Sequence, residues 1–151
     1  MDEETLVKSK KVGFAIRKQN TAFTRRFMND GFAVGLDEVT IMHAWVMGYL
    51  HHNEDKEIYQ KSLESEFGIG RSSVASLVKL MENKGYIKRE AVPGDARLKK
   101  IMLTPEGRET SFKVKSTLDA MEKDILKDIS PEELQIYFSV ADKIVHNLDN
   151  Q

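Results

Sequence analysis

The sequence predicts a mainly α-helical chain carrying one small β-hairpin, an α+β arrangement in which strands are a minor insert. Three observations lead there. Apolar residues recur at three- and four-residue spacing over most of the chain. Two late segments open with a hydroxyl, a proline and acids, Thr104-Pro105-Glu106 and Ser130-Pro131-Glu132-Glu133, which is how helices start. Only Tyr86 to Leu103 alternates like a strand pair, interrupted by Pro93-Gly94. A length of 151 residues suits one continuous fold with a real core. The chain has no cysteine, which excludes disulfides, thiolate metal sites and cysteine nucleophiles. Its longest apolar run, Ile41 to Leu50, is about half of what a bilayer requires, so no membrane partner is expected. The charged start MDEETLVKSKK has no signal-peptide character, so the mature chain is expected to begin near Met1 and to reside in the cytoplasm.

Taken in order, Val12, Ile16, Phe23 and Phe27 mark a long first helix from about Thr5 to Met28, with Gly31 and Gly35 bracketing its end. Asp37 is placed to cap a second helix reaching about His51, with Leu36 and Ile41 as a hydrophobic staple. Apolar residues cover most of that helix's circumference, so it belongs at the domain centre. Residues 60–84 read as two short helices joined by Gly68-Ile69-Gly70. Val74, Leu77, Val78 and Met81 give the second of these an apolar stripe, and at about 100° per residue the opposite face holds Ser72, Ser76, Lys79 and Asn83. Gly85 ends it. A hairpin of strands 86–91 and 98–103 follows, with Val92 to Arg97 as its turn. Two helices close the chain. One carries a seam of Val114, Leu118, Met121 and Ile125, the other a wider stripe of Leu134, Tyr137, Phe138, Ala141, Ile144, Val145 and Leu148.

The near-neutral total hides a segregation of charge, with block charges of +3, −5, +5 and −4 over residues 1–30, 31–70, 71–100 and 101–151. The cationic block coincides with the second short helix and the hairpin. Short hydroxyls on a helix face allow close approach to base edges in a major groove about 12 Å wide, and Lys79 suits the phosphates. Acids are absent from Arg71 to Met81, unlike an ordinary solvated helix with its Glu/Lys pairs. A basic hairpin tip can place an arginine in the adjacent minor groove. Arg97 is the candidate, with Asp95 expected to hold its guanidinium through a charge-assisted bond. A protein-docking module without DNA binding would instead need apolar groups at positions 72, 76, 79 and 83.

These residues carry a resemblance. Tyr59 through Gly107, above all GIGRSSVASLVKLMENKGYIKRE and PGDARLKKIMLTPEG, resembles the winged helix-turn-helix of the MarR family of bacterial transcription regulators. The Asp95-x-Arg97 wing and the LTPEG exit are its more specific marks. The resemblance implies a winged helix-turn-helix over 36–104 and dimerisation helices over 1–35 and 105–151. It also implies a homodimeric repressor on a pseudo-palindromic operator, retuned by a small anionic or aromatic effector. Carried onto this chain, it makes Arg71, Ser72, Ser73, Ser76 and Lys79 the helix contacts. Arg97, Asp95 and Lys99 become the wing contacts, and Val12 and Ile16 join the last helix's stripe at the dimer interface. An effector pocket would draw on aromatics such as Phe14, Phe32 and Trp45. Two positions depart from the family's habit: Gly70 stands where a Ser cap is frequent, and Tyr59 where a Thr or Ser opens the preceding helix.

Other chemistry is set aside. Adjacent His51 and His52 do not share a helix face, and Glu54, Asp55 and Glu57 read as a solvated loop, so no metal site is expected. His43, between Met42 and Trp45, reads as a core histidine whose burial would make it pH-sensitive. No phosphate loop, carboxylate pair or Ser-His-Asp pattern stands out, so neither catalysis nor a cofactor is expected.

Overall fold

A computed structural model describes residues 11–150. In chain order the elements are α1 (Val12–Phe32), α2 (Ile41–His52), α3 (Gln60–Phe67), α4 (Arg71–Asn83), β1 (Ile87–Val92), β2 (Asp95–Leu103), α5 (Pro105–Ile125) and α6 (Pro131–Asp149). The start of the first helix expected at Thr5 lies outside the described residues. Two compact units divide the chain, Met1–Leu118 and Asp119–Gln151, with the division inside α5.

In the first unit, α2 is the centre: His43, Ala44, Val46, Met47 and Leu50 are all buried. Around it Leu63 of α3, Val74, Val78 and Met81 of α4, Ile87, Ile101 and Leu103 of the hairpin, and Val114 of α5 complete the core. Each fully buried aliphatic side chain of this size contributes about 1.5–3 kcal/mol. β1 and β2 form an antiparallel pair, and the Ile101 N–H donates to the Ile58 carbonyl at 2.7 Å, tying the 53–58 loop to β2.

Three boundaries differ from the sequence expectation. α1 runs through Gly31 to Phe32, because Gly31 is a packing position: a Cβ there would stand 3.2 Å from the Leu36 Cβ. Thr40, not Asp37, caps α2. The Thr40 hydroxyl accepts the His43 N–H and the His43 Nδ1 accepts the Thr40 N–H, both at 3.3 Å. The reason is burial: Leu36 and Val39 both turn into the core, which leaves Asp37 outside the helix and Thr40 extended directly before Ile41. The expected Leu36–Ile41 staple therefore does not form around an Asp37 cap. Third, the hairpin turn is Pro93-Gly94 alone, with Gly94 at φ +88°, as a Pro-Gly type II turn demands, and β2 begins at Asp95 instead of Leu98.

In the second unit, Ser130 caps α6 by the full reciprocal box. The Ser130 Oγ accepts the Glu133 N–H at 3.1 Å and the Glu133 carboxylate accepts the Ser130 N–H at 2.8 Å, which holds the Glu133 carboxyl below its ordinary range. No residue of α6 is buried.

Candidate nucleic-acid interface

The helix-turn-helix forms because its turn is glycine-built. Gly68 ends α3 at φ +60°, a left-handed conformation that a Cβ would strain, and Gly70 opens α4. Tyr59 opens α3 without using its own hydroxyl, which donates to Glu57 at 2.6 Å; Ser62 Oγ accepts the Tyr59 N–H at 3.1 Å instead. With Val74, Val78 and Met81 buried, α4 turns Arg71, Ser72, Ser73, Ser76, Lys79 and Asn83 outward, all of them exposed. The face read from the sequence is thus one continuous solvent-facing surface.

The wing needs correction. Ala91 pairs with Lys99 and Val92 with Asp95, so Ala96, Arg97 and Leu98 bulge from β2 with no residue opposite them. Arg97 is therefore carried on a bulge behind the tip, a device that re-aims a side chain. Asp95 does not bond the guanidinium. Its Oδ1 accepts the backbone N–H of Arg97 at 2.9 Å, so it fixes the bulge's main chain. The side-chain cap wins because a two-residue turn leaves that N–H unpaired by the opposite strand.

Charge pairing sorts the cationic block. Arg89 is paired with Glu82 at 2.7 Å, Lys88 with Glu90 at 2.9 Å, Lys100 with Glu90 at 4.0 Å, and Lys84 with Glu38 at 3.3 Å. The bond from Arg89 holds the Glu82 carboxyl below its usual range, with Lys99 adding to the field, and the Lys88 bond does the same for Glu90. Arg71, Lys79, Arg97 and Lys99 form no side-chain hydrogen bond or ion pair among the described residues. The unneutralised cations are those on the outward face of α4 and on β2.

A junction missed in the sequence holds the wing's root. Thr104 donates through its hydroxyl to the Gly85 carbonyl and accepts the Gly107 N–H at 2.9 Å, while its own N–H donates to the Tyr86 carbonyl at 3.1 Å. Gly85 is left-handed at φ +80°. Gly107 lies directly on the Tyr86 backbone, where a Cβ would fall 1.9 Å from the carbonyl oxygen. The LTPEG exit is therefore a backbone-to-backbone contact that only glycine permits.

The remaining assignments fare unevenly. Phe14 and Phe32 sit 18 residues apart on α1, about 27 Å along its axis. They cannot line one small pocket with Trp45 within this chain; Trp45 stacks on Phe23 instead, with centroids 6.0 Å apart and rings 6° from parallel. A cavity of about 180 Å³ lies elsewhere, bounded by residues 53–58, Lys100 to Leu103 and Arg108, with no aromatic lining. Val12, Ile16, Tyr137, Phe138, Val145 and Leu148 are exposed, while Leu134, Ala141 and Ile144 are half-buried. Ile136 and Val140, outside the sequence stripe, are exposed as well, which widens the apolar surface of α6. His43 is a core histidine as read: burial, then the charge of Lys84, lowers its pKa, and its ring tilts over Tyr86.

A family model described as the MarR family matches residues 38–98, from the α1–α2 connection through the bulge of the wing. Over that segment the chain is similar to the MarR family. MarR-family structures align with it over nearly its full length. The transcription regulator MarR from Oenococcus oeni is 26% identical, with a TM-score of 0.74 covering 90% of this chain and 99% of that one. The S. aureus MepR–DNA complex is 20% identical at a TM-score of 0.80, covering 92% of this chain and 98% of the other, and supports the winged helix-turn-helix fold. An uncharacterized HTH-type transcriptional regulator of Bacillus subtilis, YdgJ, is 30% identical over 101 residues. That match covers 67% of this chain and 60% of the relative's length.

Proposed function

We propose that this protein is a MarR-family, sequence-specific, double-stranded DNA-binding transcriptional regulator that works in the cytoplasm as a homodimeric repressor and catalyses no reaction. One observation carries the reading: the cations of residues 71–100 that stay unneutralised, Arg71, Lys79, Arg97 and Lys99, share the outward face of α4 and the wing strand with Ser72, Ser73 and Ser76. Internal acids neutralise the rest of the block, so its positive potential is concentrated where a duplex would lie. α4 enters the major groove, hydroxyls toward base edges and Lys79 toward phosphate; Arg97 enters the flanking minor groove. MepR, of the same fold, is known bound to DNA.

The dimer supplies what one chain lacks. α6 buries nothing, and Ile136, Tyr137, Phe138, Val145 and Leu148 expose an apolar surface that a second copy would cover, together with α1 residues Val12 and Ile16. Residues 1–35 and 105–151 serve that role, and 36–104 reads the DNA. Two-fold symmetry then demands a pseudo-palindrome with half-sites about 10–10.5 bp apart or a multiple of that spacing. A small anionic or aromatic effector completes the proposal, with Trp45, the single tryptophan, as its fluorescent reporter.

Selection of bound fragments from a random duplex pool tests the reading directly. The expected result is an enriched two-fold motif whose affinity falls steeply with salt, the slope being about −0.9 per phosphate neutralised. Recovery of unrelated fragments, or binding by a monomer in sedimentation, would refute it.

A further inference from the structure

Glu82 is the only acid on α4, and an acid on a helix that approaches a polyanion is a liability. It stands about 90° around the helix from the centre of the Ser72/Ser76/Lys79/Asn83 face. Its Oε2 accepts both the Nη2 of Arg89 at 2.7 Å and the Nε at 3.2 Å, so a single carboxylate oxygen grips two donors of the guanidinium. Arg89 belongs to β1, and its cross-strand partner is Ile101. The pair therefore ties the last turn of α4 to the middle of the wing. Both side chains are about one-third exposed, at 34% and 29%. A pair so wetted adds little to stability. Its other effect is geometric, because a two-donor grip admits few arrangements of helix and strand.

We propose that Glu82 and Arg89 form a positioning pair that sets the distance between the α4 reading face and Arg97, and so makes recognition of the core half-site and of its flank a single, register-locked event. The pair touches no base. It acts through the wing, and Lys99, whose charge already reaches Glu82, lies on the strand being positioned. Gly85 and Thr104 hold the root of the hairpin, leaving its outer part, bulge included, to be steered by the clasp at Arg89.

This inference rests on the DNA-binding reading, and the test separates the two. Glu82→Ala and Arg89→Gln both break the clasp, the first by removing the accepting oxygen and the second by removing the guanidinium, yet they move the net charge in opposite directions. The ligand is a duplex enriched from a random pool by the unaltered protein, synthesised with A·T-rich or with G·C-rich flanks. The measurement is the ratio of the two dissociation constants by fluorescence anisotropy, on variants whose circular dichroism matches the parent. Discrimination between flanks is expected to fall about threefold or more in both variants, while overall affinity rises for Glu82→Ala and falls for Arg89→Gln. The charge-reversed Glu82→Arg/Arg89→Glu protein is expected to recover part of the discrimination. A ratio unchanged in Glu82→Ala, or one that follows net charge in opposite directions, overturns the proposal. Failure of the unaltered protein to bind any duplex would instead sink the DNA-binding reading beneath it.

Discussion

Replacing Gly107 with alanine is expected to loosen the whole wing from the far side of its root. A Cβ at this position would lie 1.9 Å from the Tyr86 carbonyl oxygen and 2.9 Å from its carbonyl carbon, with Leu103 Cδ2 at 3.2 Å. An ordinary contact needs roughly 3.4 Å, so α5 and the Tyr86 backbone would have to separate by more than 1 Å. Neither is the end of a flexible side chain. Separation on that scale breaks the Thr104 N–H bond to Tyr86 and the Gly107 N–H bond to Thr104. Overpacking costs about 1–3 kcal/mol, and two lost hydrogen bonds about 1 kcal/mol each, for a total of about 3–5 kcal/mol. At about 2–4 °C per kcal/mol for a chain of this size, the unfolding midpoint should drop by about 10 °C. Thermal unfolding followed by circular dichroism reads it. Gly48→Ala is the control: nothing lies within 4 Å of a Cβ there, and removing a glycine from the interior of α2 should raise stability by about 0.5–1 kcal/mol. If Gly107→Ala and Gly48→Ala unfolded at the same temperature, the close contact argued for the exit of the wing would be wrong.

Three further expectations concern binding and pH. Lys79→Ala should flatten the dependence of log affinity on log salt by about 1.8 per dimer, one phosphate contact per subunit, in anisotropy titrations over a range of salt; an unchanged slope would remove Lys79 from the interface. Asp95→Asn should keep most of the affinity and Asp95→Ala should lose it, because the bond required is from the Arg97 main-chain N–H to a side-chain oxygen that asparagine also has; equal losses would restore the discarded guanidinium salt bridge. Because burial lowers the pKa of His43, the unfolded chain takes up a proton near pH 6.5 that the folded ring refuses. Stability is then complete above that value and decreases on acidification through it, by at most about 1.4 kcal/mol per pH unit. The parent's urea midpoint should fall more between pH about 8 and about 5 than that of His43→Phe, which lacks the Thr40 cap bond at both pH values.

What could be read from the order of residues was whatever local chemistry decides. Gly68-Ile69-Gly70 could only be a turn, Ser130 with Glu133 could only be a helix start, and the 72/76/79/83 face followed from helical period alone. Each depends on interactions within four residues, or on a backbone conformation that one residue type favours. The family resemblance of the wing belongs here too, since its marks are contiguous.

The rest needed distant parts of the chain. Asp37 and Thr40 are both good caps, and the choice between them fell to Leu36 and Val39, whose burial depends on a core assembled from six elements besides α2. The bulge at Ala96 to Leu98 is a matter of strand register, set when Ile101 meets Arg89 and Ile58. The count of eight cations against three acids in residues 71–100 was visible at once, but not which of them are neutralised. Glu38 reaches across 46 positions to Lys84, and Glu82 and Glu90 select Arg89, Lys88 and Lys100 by proximity in the folded chain. Coulomb attraction depends on separation in space, so a linear string can state how much charge a segment carries, whereas folding alone settles how much of it is left for a partner.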